Sequence, residues 1–203
     1  MLISFEGIDG SGKTTQIHQL RQRLEFHQID ANLYREPGGT EVSEVIRGLL
    51  LNPEFPIDPV TEVLLFSSAR SQLLAEHVIP KLKKGEWVIL DRFYDSTVAY
   101  QGYGRKSISI DHIHSINTIA SHGVVPDLTF YLRLSREQAQ ARIQDRHRDR
   151  MEQAGDDFYD RVIQGFDTLA SSNARFRTID AFRTPEQIHA DVWDAVVKSG
   201  FIQ

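Results

Sequence analysis

Between an apolar run, Leu2 to Phe5, and a helical pattern that starts near Thr14 lies the stretch Gly7-Ile8-Asp9-Gly10-Ser11-Gly12-Lys13-Thr14-Thr15. It fits Gly-x-x-x-x-Gly-Lys-Thr at Gly7, Gly12, Lys13 and Thr14. No other stretch limits the fold as tightly, because this pattern needs a strand to deliver it and a helix to leave it. Gly7, Gly10 and Gly12 permit turns that a Cβ would forbid, so the loop's N–H groups can point inward onto phosphate oxygens. The positive end of the following helix adds to that cradle. Lys13 offers a mobile charge to the β- and γ-phosphates, and Thr14 a hydroxyl to Mg²⁺. The motif specifies a bound phosphate but not its destination.

The remaining chain repeats the alternation. "LISFEG", "ANLYRE", "EWVILD", "LTFYLRL" and "RFRTID" read as five strands. Helical patterns run from Thr14 to about His27, and from Thr40 to about Leu50 with Val42, Val45, Ile46 and Leu49 on one face. A longer one spans about Val60 to Ile79, where Pro80 disfavours continuation. The last begins at Thr184-Pro185-Glu186-Gln187, which can form a capping box. This order predicts an α/β fold: a parallel sheet covered by helices on both faces, in three layers. At 203 residues the chain suits one domain, 1–203. Ligands in such sheets sit beyond the carboxyl ends of the strands. Gly7, Arg35 and Asp91 each lie at or just past a predicted strand end, so they are expected to converge on one sheet edge.

Composition narrows the class. There are no cysteines, which excludes disulfides and thiolate-held metals. No apolar run approaches the roughly 18 residues of a membrane span, and the first residues are too short and acidic for a secretory signal. A cytoplasmic protein is expected. A net charge of −5 argues against a dedicated nucleic-acid polymer binder. His112 and His114 stand two apart and share no helix face, so they are not read as a metal pair.

Two further elements carry charge toward the loop. "VILDRF" delivers Asp91 to a strand end, where an acidic residue can hold Mg²⁺ directly or through water. Arg92 beside it has the planar fork that grips a second phosphate. "ARIQDRHRDR" gathers Arg142, Arg146, Arg148 and Arg150. Such runs are usually solvated helix faces. Beside a phosphate loop, the same arginines can cover a transferred phosphoryl group and keep water out.

Together these segments resemble the bacterial thymidylate kinase family of phosphate-loop enzymes. The matching stretches are "FEGIDGSGKTTQ", "REPGGT", "LLFSSAR", "VILDRFYDSTVAYQG", "PDLTFYL" and "DRHRDRME", over essentially the whole chain. The phosphate loop alone suits many enzymes; "REPGGT" and "DRF…S…AYQG" are far more specific. The resemblance implies transfer of the γ-phosphoryl group of ATP to dTMP, with Mg²⁺, on a five-stranded core with a short lid at about 142–154.

It also implies roles. The loop Gly7 to Thr15 holds ATP, with Arg142 packing against the adenine. Thr14 and Asp91 serve Mg²⁺. Phe66 stacks on thymine and Arg70 hydrogen-bonds it. Arg92 holds the dTMP phosphate, with Arg35 and Pro37 shaping that pocket and Asp9 near the acceptor. Tyr100 leaves no room for a ribose 2′-hydroxyl, and Ser96, Thr97 and Gln101 line the base and sugar pocket. Family members place a catalytic arginine either in the loop or in the lid. Here the loop has none, which points to Arg146 and Arg150, acting with Lys13 and Arg92. A homodimer is the family's habit. The rival readings are a kinase for another nucleoside monophosphate or a deoxynucleoside, and a nucleotide-binding switch; no Asn-Lys-x-Asp guanine-reading motif supports the latter.

Overall fold

A computed structural model describes residues 1–106, 108–142 and 155–202. Arg146, Arg150 and most of the expected lid therefore lie outside the described residues. The chain runs β1 (Leu2–Glu6), α1 (Lys13–Phe26), β2 (Ala31–Arg35), α2 (Glu41–Leu51), α3 (Pro59–Leu73), a π turn (Leu74–Val78) and α4 (Ile79–Lys83). It continues with β3 (Trp87–Asp91), α5 (Tyr94–Thr97), a π segment (Val98–Gly104), α6 (Ile110–Ala120), β4 (Leu128–Arg133) and α7 (Arg136–Arg142). After α8 (Asp156–Ser172) and β5 (Phe176–Asp180), it ends in α9 (Pro185–Lys198).

Among the described residues the strands form one five-stranded sheet in the order β2-β3-β1-β4-β5, with every pair parallel. Every residue of β1 is buried, as expected of a central strand covered on both faces. Its polar Ser4 is satisfied by Thr129 Oγ1 of β4 at 2.8 Å. Register aligns Phe5 with Asp91, and Asp91 with Arg35. The three expected strand ends therefore do share one edge. The capping box at Thr184 and Gln187 is also present, with Pro185 in the first turn.

Three features depart from the expectation. The helix from Val60 does not stop at Pro80. It continues as a rod through α3, the π turn and α4 to Lys83. The Ile79 N–H reaches back to Leu74 O, a five-residue step. That wider turn makes room for a ring that would otherwise press on the carbonyl four residues back. The apolar face of α2 points outward: Val42, Val45 and Leu49 are exposed, whereas Ser43 and Leu50 are buried. Finally, helices α5, α6, α7 and α8 lie outside the helical patterns read from the sequence. Helix α8 packs on the π segment through glycines. A Cβ on Gly104 would stand 2.6 Å from Phe158, and one on Gly165 2.9 Å from Tyr103.

Candidate active site

A cleft of about 460 Å³ opens over the carboxyl edge of the sheet. Its floor is the phosphate loop. Asp9, Gly10, Gly12, Lys13, Thr14 and Thr15 line it, and Arg142 closes one end. Helix α1 starts on Gly12 in a left-handed conformation, with no side-chain cap and no acidic residue in its first turn. Its first N–H groups and its dipole are thus left for an anion. Gly7, Ile8 and Ser11 support the loop from behind rather than facing the cleft. Lys13 Nζ donates to Gly7 O at 3.0 Å and Ile8 O at 3.2 Å. Burial, reinforced by the nearby Arg92, lowers the Lys13 ammonium below its ordinary value. Arg142 donates to Gly10 O and Ala181 O, which ties α7 to the loop and to the end of β5.

Thr14 Oγ1 donates to Asp91 Oδ2 at 3.3 Å. A hydroxyl and a carboxylate meeting at the cleft floor are hard oxygen donors, as Mg²⁺ requires. Among the described residues no group of three or more His, Asp or Glu gathers into a metal cage.

Next to the loop stands Arg92, a non-glycine residue at φ 69°. Its guanidinium donates to Asp9 Oδ1 at 2.7 Å, to Gly7 O at 2.8 Å and to Ser96 Oγ at 3.3 Å. It also lies 5.1 Å over the Tyr100 ring. Burial opposes its charge, but the neighbouring Asp9 and Asp91 carboxylates outweigh burial and hold it protonated. The far wall carries Phe66, half-buried and facing the cleft, with Arg70 one turn on. Arg70 is 2% exposed. Its Nε donates to Glu36 at 2.7 Å, Nη2 to Thr97 Oγ1 at 2.9 Å and Nη1 to Asn117 Oδ1 at 3.1 Å. Guanidinium groups have five N–H donors, so two are left for a ligand. Tyr100 and Gln101 both line the cleft although they are adjacent in sequence. Both sit in the π segment, whose wider turn departs from the spacing of an α-helix.

Arg35 and Pro37 line the cleft as expected. The Arg35 side chain is more than half exposed and paired with Glu44 at 3.2 Å. Sequence reasoning missed several participants. Glu36 binds Arg70, and burial raises its carboxyl to about 7 against the pull of that arginine. Arg47 reaches the cleft from α2 and donates to Pro37 O at 2.8 Å. Glu6 sits fully buried beneath Arg92. The signal for Glu6 was available: a lone carboxylate closes an otherwise uncharged, fully buried strand. Asn117 gave no such signal, because it lies in a helix that had not been assigned.

The cleft thus brings Lys13 of the loop, Arg92, Phe66 and Arg70 onto one lining. A family model described as thymidylate kinase matches residues 5–192. The chain belongs to the thymidylate kinase family. Among its relatives, the thymidylate kinase of Chlorobaculum parvum is 44% identical over 97% of this chain and 95% of that one. That of a Thermoanaerobacter species is 42% identical over 97% of each chain. The crystal structure of thymidylate kinase from Ehrlichia chaffeensis superposes with a TM-score of 0.80 at 34% identity, covering 97% of this chain and 98% of that one.

Proposed function

We infer that the protein is a dTMP kinase: it transfers the γ-phosphoryl group of ATP to dTMP, giving dTDP and ADP, a step toward dTTP. The observation that carries this is the direct attachment of Arg92 to the phosphate loop through Gly7 O and Asp9. An anion held by Arg92 would lie beside one held by the loop, as in-line transfer requires.

A phosphate monoester oxygen is already a nucleophile at neutral pH, so no strong base is needed. Catalysis is positioning and charge stabilisation. Lys13 neutralises the donor phosphates and Arg92 orients the acceptor phosphate. Phe66 stacks on the thymine ring, and the two remaining N–H donors of Arg70 serve its carbonyl edge. Tyr100, packed against Arg92, excludes a 2′-hydroxyl; Ser96, Thr97 and Gln101 complete the sugar and base pocket. Thr14 and Asp91 would hold Mg²⁺, which neutralises phosphate charge when bound. Arg146 and Arg150 would add charge over the transferred group from the lid, and Arg142 would pack on the adenine.

We also propose a homodimer through α2 and α3. Their outward face carries Val42, Val45, Leu49, Val60 and Leu64, and Val45 is 69% and Leu64 50% exposed. Introducing a charge there, as in Leu64→Glu, is expected to yield monomers by light scattering. No described helix is long and apolar enough to cross a membrane, and we propose that the enzyme works in the cytoplasm.

A coupled ADP-release assay with dTMP, dUMP, dGMP, AMP and thymidine tests the reading. Release stimulated above all by dTMP is expected. Failure of every acceptor to stimulate ATP consumption sinks it in favour of a nucleotide switch, and preference for another acceptor favours the rival kinase. The lid roles fail separately if Arg146→Ala and Arg150→Ala both stay within about threefold of wild-type kcat.

A further inference from the structure

We propose that Glu6 is a positioning residue that fixes Arg92 against the phosphate loop, and so sets the donor–acceptor geometry of the transfer; this rests on the dTMP kinase reading. Glu6 ends β1 and has no exposed surface. Its Oε1 accepts the Phe93 N–H at 2.8 Å, and its Oε2 is bonded to Ser96 Oγ at 2.6 Å. These bonds grip both ends of the turn that begins at Arg92. The same Ser96 hydroxyl accepts from Arg92 Nη1.

Arg92 needs such a grip. A branched or long side chain at positive φ persists only where its surroundings over-determine it. Here the restraints come from consecutive residues at the end of β1. Phe5 O accepts the Arg92 N–H at 2.9 Å, Glu6 holds Phe93 and Ser96, and Gly7 O accepts from the guanidinium. The phosphate loop begins at that same Gly7. Any slip at Glu6 therefore moves the acceptor arginine relative to the donor cradle, and displacements near 1 Å can cost about 100-fold in rate.

A carboxyl group is an expensive choice inside a fully buried strand. Burial, and Asp95 after it, raise Glu6 to about 8 against Ser96 and Arg92, so it carries its proton at neutral pH. The Ser96 hydroxyl can turn to donate to a carboxylate or accept from the acid. Glutamine is thus a close mimic. Its oxygen can accept from Phe93 while its nitrogen donates to Ser96. Leucine keeps the bulk and loses both bonds.

The test compares Glu6→Gln and Glu6→Leu in kcat, in KM for dTMP and ATP, and in melting temperature. Glu6→Leu is expected to lose about 30-fold or more in kcat, while Glu6→Gln stays within about threefold of wild type. Arg92→Lys should cost much less in the Glu6→Leu background than alone, since the two act as one unit. Should Glu6→Leu not fold, Ser96→Ala removes half the grip, and its cycle with Arg92→Lys should show coupling of about threefold or more. The proposal is overturned if Glu6→Leu keeps kcat, if both Glu6 variants lose activity in step with their melting temperatures, or if the cycles are additive. A wild-type enzyme inert toward dTMP would instead sink the function reading itself.

Discussion

The two halves of the cleft are built in opposite ways. The half we propose for the donor is a contiguous loop that offers mainly backbone to a ligand. Its essential features are positive-φ glycines, an uncapped helix start and one lysine, all between Gly7 and Thr15. The acceptor half has no contiguous core. Arg92 from the end of β3, Arg70 from α3, Glu36 after β2, Thr97 from α5 and Asn117 from α6 meet only in three dimensions. A site made of backbone tolerates varied side chains around it. A site made of buried side chains depends on each partner, because removing one leaves another unsatisfied.

That contrast can be broken by substitution. The largest effect is expected at Lys13, the one basic side chain within the loop itself. Lys13→Ala should lower kcat about 10³-fold or more, with little change in melting temperature. Next comes Arg70→Lys. An ammonium cannot reproduce the fork that serves Glu36, Thr97 and Asn117 at once. We expect kcat/KM for dTMP to fall about 100-fold, with a stability loss of about 2 kcal/mol or more from the buried Glu36, Thr97 and Asn117 side chains left without their shared partner. The KM for ATP should hardly move. An equal rise in both KM values would show that the halves are not separate in construction.

The same contrast explains what was legible. The order of strands, the phosphate loop and the caps at Thr40 and Thr184 depend on local pattern, and the structure has them. The resemblance to a family pointed to Phe66, Arg70 and Arg92, which line one cleft in the structure, but not to what supports them. Glu36 looks like an ordinary polar position until the fold buries it, whereas Glu6 stands out as the lone carboxylate of an otherwise uncharged strand. The outward apolar face of α2 was read as a helix face without its direction, because periodicity reveals a stripe and not what covers it. Helix α8 is a different failure. Phe158, Val162, Phe166 and Leu169 repeat at helical spacing and are buried, so its pattern was present and simply not used.

Close packing of α8 on the π segment gives a middle-sized effect, acting on both halves only indirectly. Gly104→Ala would push a methyl group to 2.6 Å from the Phe158 ring, with Val162 2.9 Å away. Overpacking of this kind typically costs about 1–3 kcal/mol. The melting temperature should fall, and because Tyr100 and Gln101 share the π segment, the KM for dTMP should rise modestly. A variant as stable as wild type would mean that α8 yields easily and does not hold the acceptor wall in place.

The smallest expected effect separates the halves by pH. Glu6, faced by Arg92 and Asp95, has its carboxyl raised from about 4.5 to about 8 by burial. A carboxyl group raised on folding binds its proton more tightly in the native state than in the unfolded chain. The stabilisation it contributes is complete below about 4.5 and is lost as pH rises through about 8. Glutamine does not titrate, so Glu6→Gln should remove this component while the Glu36 component, centred near 7, persists. Wild-type melting temperature should therefore decline more steeply than that of the variant between pH 5 and 8, with a gap of about 3 °C or more. Parallel curves would show that the buried strand end is not held in its protonated form, and that the acceptor half stores no such proton beneath Arg92.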